Sequence, residues 1–194
     1  MSASRGSVVL VGSPRHGKLE FAWPSHTDFE MVSCGWDHTV LLHSDGTAYA
    51  FGGNQAGQCD LPGIFAVLPM SPGWLQGNPY RQVSAGGRHS VLLRWDGMAV
   101  ACGLNNYGQC NIPELLEGQT YTQISAGVWH TVLLRGDGVV VACGLWYRQI
   151  AIPVLPEGMT YTQISAGYDN TLLLRSDGML FRLAEPSATR QLEL

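Results

Sequence analysis

Charged side chains are scarce in this sequence. Lys, Arg, Asp and Glu make up 13% of the 194 residues, whereas a typical soluble domain carries about 25%. Hydrophobic residues account for 45%, and 24 residues are glycine. Few charges combined with many glycines favour a tightly turned, well-buried β architecture and argue against a helical bundle.

Long apolar runs and an excess of basic residues are also missing. No run approaches the roughly 20 apolar residues of a membrane helix, so no membrane span is predicted. The segment Met1 to Gly6 lacks a charged start followed by a long apolar core, which predicts no secretory signal. Nucleic-acid binding relies on Lys and Arg contacts to phosphate, and 11 basic against 15 acidic residues predict no direct nucleic-acid partner.

Cysteine is present in an odd number, which does not suit a disulfide framework. The five residues also recur at repeat positions, as small side chains of a core would. A reducing intracellular compartment is therefore expected, either cytoplasm or nucleus, or a plastid if a targeting peptide has been removed. The cysteines are Cys34, Cys59, Cys102, Cys110 and Cys143.

An internal repeat is the main signal in the chain. A segment ending in Ser-Cys-Gly or Ser-Ala-Gly recurs at Gly35, Gly86, Gly127 and Gly167, with spacings of 51, 41 and 40 residues. The ten additional residues of the first spacing fall near Phe65 to Asn78, a segment rich in Pro and Gly that indicates a loop insertion. A period near 40 is typical of one propeller blade.

Each repeat reads as a strand, a turn and a further strand. Short apolar runs such as Val91-Leu92-Leu93 are followed by Asp-Gly, a dipeptide that suits a tight hairpin turn, and then by a second apolar run. The strands are apolar on successive residues, so both sheet faces should be covered. The small Ser-Ala-Gly segment suits a strand at a crowded central channel.

These features predict an all-β propeller with about four blades of four strands each. The expected organisation is a single domain over 1–194, with a half repeat at 1–27, repeats at about 28–79, 80–120 and 121–160, and a partial repeat at 161–194. Two alternatives remain for its closure. The two end segments combine into one blade of a four-bladed ring, or the chain forms an incomplete, open arc whose edges are covered by a partner, by another copy or by residues outside this sequence.

The residue pattern resembles a known repeat family. Gly35-Trp36-Asp37-His38-Thr39, Asp45-Gly46, Gly52 and Gly57-Gln58-Cys59 are similar to one repeat of the regulator-of-chromosome-condensation family, and the second repeat matches at the same positions. The resemblance spans residues 32 to about 183 and implies a β-propeller. The third repeat is one residue shorter near Trp146-Tyr147-Arg148, and Asn170 replaces the repeated histidine.

Several recurring polar residues invite a catalytic or metal-binding interpretation. We expect His38, His89 and His130 to hold loops by hydrogen bonds to neighbouring backbone, because copies spread over three blades cannot converge on one ion. Arg94, Arg135 and Arg175 each precede an aspartate by two residues, which predicts a locally neutral rim. No phosphate loop, nucleophile elbow or dinucleotide fingerprint occurs. The sequence therefore predicts no catalytic residue, no metal and no cofactor.

The positions that vary between repeats carry the binding hypothesis. Trp, Tyr and Arg are the residues most enriched at binding hot spots. If the fold is a propeller, the loops between the repeated Gly and His lie on one face, and a second variable loop lies nearby. The alternative is that these aromatics only pad blade edges. The predicted partner-binding residues are Trp36, Asp37, Arg88, Trp129 and Tyr168 from the first set, and Tyr107, Trp146, Tyr147 and Arg148 from the second.

Three functions follow in order of support. The first is a non-catalytic protein–protein interaction scaffold, an accessory subunit of a larger assembly. The second is a guanine-nucleotide exchange factor or regulator of a small GTPase, which the family resemblance implies. The third is an ultraviolet photoreceptor-like module, because the Trp36 motif is similar to one in the plant ultraviolet photoreceptor. That motif occurs once here, with Asp37 in place of the usual arginine.

Overall fold

Thirteen strands make up the regular secondary structure of the residues that the structure describes. The computed structural model describes residues 28–62, 80–145, 152–183 and the strand at 190–192. Within these ranges no helix occurs, and so none that could cross a membrane. The strands are β1 Phe29–Cys34, β2 His38–His43, β3 Ala48–Gly52, β4 Tyr80–Ala85, β5 His89–Arg94, β6 Ala99–Gly103, β7 Tyr121–Ala126, β8 His130–Arg135, β9 Val140–Gly144, β10 Tyr161–Ala166, β11 Thr171–Arg175, β12 Leu180–Leu183 and β13 Arg190–Leu192.

The strands form four antiparallel sheets, one for each repeat. Blade 1 is β1–β3, blade 2 is β4–β6, blade 3 is β7–β9 and blade 4 is β10–β13, each in sequential order. Consecutive blades pack against one another, and the first strands of the blades contact each other along the array. The all-β propeller architecture is confirmed, and the Ser-Ala-Gly segments lie on the inner strands as predicted.

Two details of the predicted blades are wrong. Blades 1 to 3 each have three strands over the described residues, and blade 2, whose repeat is described throughout, has no fourth strand. Residues 104–120, all of which the structure describes, contain no strand, because this segment is folded by local turns and side-chain hydrogen bonds such as that from the Cys110 N–H to Asn105 Oδ1 at 2.9 Å. The final repeat, which we expected to be partial, forms a four-stranded sheet because β13 pairs with β12.

The hairpin turn within each blade has one construction. In blade 2, the Arg94 N–H donates to the Met98 carbonyl at 2.9 Å, and Asp96 Oδ1 accepts from the Met98 N–H at 3.0 Å. Gly97 has a φ of 83°, which a residue with a Cβ adopts only with strain. This explains why Asp-Gly recurs at each turn.

The hydrophobic core lies between the blades. Val40 and Leu42 of blade 1 pack on Val83 and Leu92 of blade 2, and equivalent clusters join blade 2 to blade 3 and blade 3 to blade 4. Leu92 is fully buried. Blades 2 and 3 therefore each have one face on their predecessor and one on their successor, as the continuous apolar strands predicted. The expected half repeat at 1–27 and the loop insertion near Phe65 to Asn78 lie outside the described residues.

Candidate aromatic binding face

The loops between the repeated Gly and His have the same tight geometry in all four blades. The glycine N–H donates to the carbonyl three residues later at 2.8 Å, for example from Gly86 to His89. Neighbouring loops are also joined, since the Gly87 N–H donates to the Gly127 carbonyl at 3.2 Å. The two middle residues of each loop are therefore held on one face of the blade array.

Aromatic side chains from different blades meet on this face. The ring centroids of Trp36 and Trp129 are 5.2 Å apart with an edge-on contact, and Trp36 lies 5.9 Å from Tyr168. Tyr107, from the loop after β6, lies 5.6 Å from Trp129. We call these four residues the aromatic face. Trp36 is 52% exposed, Tyr107 47% and Tyr168 61%, so a continuous apolar surface drawn from four blades is open to solvent.

Two charged residues lie beside the aromatic face. The Asp37 side chain is only 10% exposed, and its Oδ2 is 3.9 Å from Arg88 Nε. Asp37 Oδ1 accepts a hydrogen bond of 3.1 Å from the Gln58 amide. Arg88 is exposed at the margin of the face. The structure thus places Asp37 mainly beneath the surface as a support, and it brings Arg88 to the position where a partner can reach it.

The remaining residues predicted from sequence, Trp146, Tyr147 and Arg148, lie outside the described residues. The structure therefore brings together Trp36, Arg88, Trp129, Tyr168 and Tyr107, with Asp37 below them. Their role in partner binding stays a prediction.

The histidines form a buried row below the aromatic face. Their Nε2 atoms do not bond to neighbouring backbone as we predicted, but to a hydroxyl on the next blade. His38 contacts Ser90 at 2.9 Å, His89 contacts Thr131 at 3.0 Å and His130 contacts Thr171 at 2.9 Å. The reason is local packing. The imidazole ring of His89 lies against Gly86 in its own loop, which directs the ring edge toward blade 3.

Two of these hydroxyl groups fix the tautomer of the histidine that they contact, namely His38 and His89. Ser90 Oγ donates to the Gln58 carbonyl at 2.7 Å, and Thr131 Oγ1 donates to the Gln109 carbonyl at 2.8 Å. Because each hydroxyl proton is used in this way, the hydroxyl oxygen accepts and His Nε2 carries the proton. The sequence signal for this network is the hydroxyl residue that follows the histidine position in every repeat.

Burial keeps these imidazoles neutral. It lowers the pKa of His89 to about 3 and that of His130 to about 4, and it also lowers the pKa of His38. A folded-state pKa below the unfolded value of about 6.5 means that unfolding takes up protons, so stability is complete above pH 6.5 and declines as the pH falls.

We therefore expect the urea midpoint to fall between pH 7 and pH 5, a range in which most carboxylates stay ionised. Near pH 5.5, unfolding should take up close to two protons per molecule from His89 and His130. Chemical denaturation at several pH values measures this slope. The variant His89→Gln should remove about one proton from it, and an unchanged slope in that variant would contradict the assignment.

The described residues offer no obvious catalytic centre. All five cysteines are free, and burial raises the pKa of Cys102 and Cys143 to about 12, which makes them poor nucleophiles. Within the described ranges no three His, Cys, Asp or Glu side chains are grouped to hold a metal ion. A cavity of about 440 Å³ at the inner strands is lined mainly by apolar and amide side chains, among them Met31, Gln82 and Gln123.

The opposite face carries the predicted neutral rim. Arg94 and Asp96 are joined at 2.6 Å, Arg175 and Asp177 at 2.7 Å, and Arg135 pairs with Asp137 in the same way. The prediction of locally paired charges is confirmed. Trp95, which is 65% exposed, also lies at this end of blade 2.

Comparison with known proteins gives consistent matches to one repeat type. The family model "Regulator of chromosome condensation (RCC1) repeat" matches residues 32–58 and 80–109. Among curated proteins, the human probable E3 ubiquitin-protein ligase HERC3 is 38% identical over 85 residues, which cover 43% of this chain and 8% of HERC3. The ultraviolet-B receptor UVR8 of Arabidopsis thaliana is 33% identical over 85 residues, covering 42% of this chain and 19% of UVR8.

A solved structure shares the fold. Prp20p from Saccharomyces cerevisiae, studied for its binding properties to Gsp1p and histones, superposes with a TM-score of 0.68 at 18% identity. The superposition covers 89% of this chain and 52% of Prp20p. The chain thus spans about half of this solved structure and less than a fifth of either curated relative.

Proposed function

We propose that this chain, which carries repeats of the regulator of chromosome condensation (RCC1) type, is a non-catalytic protein-interaction module and an accessory subunit of a larger assembly. The observation that carries this proposal is the aromatic face. Four rings from the loops of four different blades are in contact there, and three of them are about half exposed. Large exposed aromatics on a rigid frame are typical of interface hot spots.

The surrounding chemistry supports binding over catalysis. The buried histidines are neutral and bonded to hydroxyls of the next blade, and the buried thiols are protonated. These polar groups therefore stabilise the frame. Because a catalytic acid, base or nucleophile needs access to substrate, groups committed in this way suit a structural role.

Site-specific crosslinking tests the proposal. A photoreactive benzoylphenylalanine placed at Tyr168 should crosslink to a partner protein in native extract. The same group at Trp95, which is equally exposed but lies on the opposite face, is the matched control. Crosslinks to the same protein from both positions, or from position 95 alone, would show that the partner does not use the aromatic face.

Regulation of a small GTPase is the second candidate. It is supported by the shared fold with Prp20p, a protein studied for its binding to Gsp1p. Release of fluorescent GDP from a panel of small GTPases tests it, and clear acceleration by the wild-type chain would favour this function over a scaffold alone. The matched variant Trp36→Ala then shows whether the aromatic face takes part.

Ultraviolet sensing is the third candidate, and the edge contact between Trp36 and Trp129 is the observation that bears on it. We expect no change of oligomeric state on ultraviolet-B illumination, because the tryptophan motif occurs once and carries Asp37 in place of the usual arginine. Light scattering before and after illumination measures this.

A further inference from the structure

Successive blades are joined by a repeated hydrogen bond between a side chain and the backbone. In each joint a serine on one inner strand accepts a hydrogen bond from an alanine N–H on the next inner strand. The distances are 2.8 Å for Ser33 and Ala85, 2.9 Å for Ser84 and Ala126, and 2.8 Å for Ser125 and Ala166.

A glutamine clamp strengthens two of the three joints. The Gln82 amide donates to the Ile124 carbonyl at 3.0 Å and accepts from the Ile124 N–H at 3.0 Å. Gln123 makes similar contacts to blade 4, because it accepts from the Ile164 N–H at 3.2 Å and donates to the Thr162 carbonyl at 3.4 Å. Met31 occupies this position in blade 1. The forward side of a blade thus presents a serine hydroxyl and, in blades 2 and 3, a carboxamide to the backbone of its successor.

Apolar side chains complete the joint. Val132, Leu134 and Val140 on the forward side of blade 3 are at most 5% exposed, because Tyr161 and Leu173 of blade 4 pack on them. The joint therefore combines a hydrogen-bonded inner edge with an apolar patch, and every complete joint in the described chain has both parts.

The forward side of blade 4 carries the same groups without a blade on it. Gln163 and Ser165, the counterparts of Gln123 and Ser125, are exposed. Leu172, Leu174 and Leu180 are only partly buried, whereas their counterparts in blade 3 are buried. Blade 4 thus presents the forward half of a joint to solvent.

The first blade presents the complementary half. Val32 is 63% exposed and Cys34 is exposed, whereas their counterparts Val83 and Ala85 in blade 2 are 3% and 8% exposed. The difference arises because blade 1 covers Val83 and Ala85, and no described blade covers Val32 and Cys34. The inner edge of β1 therefore resembles the surface that each forward side receives.

We propose that a second copy of this chain docks head to tail, with the Val32–Cys34 edge of one copy against the Gln163–Ser165 face of the other. A second copy fits this surface because the chain exposes both halves of a joint that it already forms three times between its own blades. Because the two surfaces differ, the contact is heterologous, and each copy has one forward face and one receiving edge. This interface is separate from the aromatic face, so its failure leaves the proposed function untouched.

Two blocking variants test the proposal. Ser165→Arg places a bulky charge on the forward face of blade 4, and Cys34→Arg places one on the receiving edge of blade 1. Sedimentation velocity should show the wild-type chain as a dimer or larger at concentrations where each variant alone is a monomer. An equimolar mixture of the two variants should recover a dimer. The Cys34→Arg copy keeps a free forward face, and the Ser165→Arg copy keeps a free receiving edge.

Three outcomes would overturn the proposal. They are a monomeric wild-type chain at the same concentrations, variants that associate like the wild type, and a mixture that stays monomeric. Leu116→Arg is the control and should associate like the wild type, because Leu116 lies on the connection between blades 2 and 3 and is 74% exposed. Should either blocking variant misfold, Gln163→Arg and Val32→Arg block the same two surfaces at exposed positions, with circular dichroism as the check on folding.

Discussion

Loss of both central tryptophans should abolish most partner binding. Trp36→Ala and Trp129→Ala are each expected to weaken binding of the crosslinked partner by about 2 kcal/mol or more, which corresponds to at least about 30-fold in Kd for each. The two rings touch at 5.2 Å, so either truncation also removes support from the other ring. Their effects should therefore not add, and the double variant should lose less than the sum of the two.

Isothermal calorimetry with the purified partner measures these losses. Trp95→Ala removes an equally large exposed ring from the opposite face and should leave the affinity unchanged. The free energy of unfolding should stay within about 1 kcal/mol for Trp36→Ala, because half of that side chain is already exposed. Equal affinity of the double variant and the wild type would place the partner elsewhere on the molecule.

Gly86→Ala should strongly destabilise the blade array. A Cβ at this position would lie 2.3 Å from His89 Cε1 and 2.5 Å from the Gly127 carbonyl oxygen. The first contact displaces the histidine from its hydrogen bond to Thr131, and the second pushes against the backbone of blade 3. We expect a loss of about 3 kcal/mol or more in the free energy of unfolding, from overpacking and the broken buried hydrogen bond together.

Urea denaturation at pH 7 measures the loss. Gly136→Ala is the matched control, since its nearest neighbour is Thr120 Oγ1 at 3.3 Å and its backbone does not require glycine. That variant should lose no more than about 1 kcal/mol. A similar loss in both variants would mean that the clash with the histidine row does not set the cost at Gly86.

Sequence periodicity was sufficient to predict the architecture. The spacing of the glycines and of Asp-Gly predicted the repeats and the hairpins, and the continuous apolar strands predicted that both faces of each blade are covered. These signals are strong because backbone conformation and burial act on every repeat in the same way. The paired Arg94 and Asp96 could be predicted for a similar reason, since residues so close in sequence meet whatever the tertiary fold.

Contacts between repeats were harder to predict. His89 is hydrogen-bonded to Thr131, 42 residues away in sequence. Local sequence patterns cannot pair these two residues without knowledge of how the blades pack. The four-stranded blade was predicted from fold class alone, and residues 104–120 instead use turns and side-chain hydrogen bonds. On the aromatic face, the shared loop position was predictable, but the ring contacts depend on side-chain directions that sequence does not specify.

The tyrosines at the start of the inner strands also anchor the connection that precedes them. The Tyr121 hydroxyl donates to the Pro113 carbonyl at 2.8 Å and Tyr161 to Pro153 at 3.0 Å, in both cases across eight residues. Tyr80 reaches Pro62 in the same way across eighteen residues.

Because both ends of this connection are fixed, its length is decoupled from the blade joint. Loop-closure entropy grows only logarithmically with length, so a connection of eighteen residues in place of eight costs only about 0.7 kcal/mol more. The boundary between Pro62 and Tyr80 is therefore a position at which such a protein can acquire new sequence during evolution, or accept an engineered peptide, while its blades stay in register.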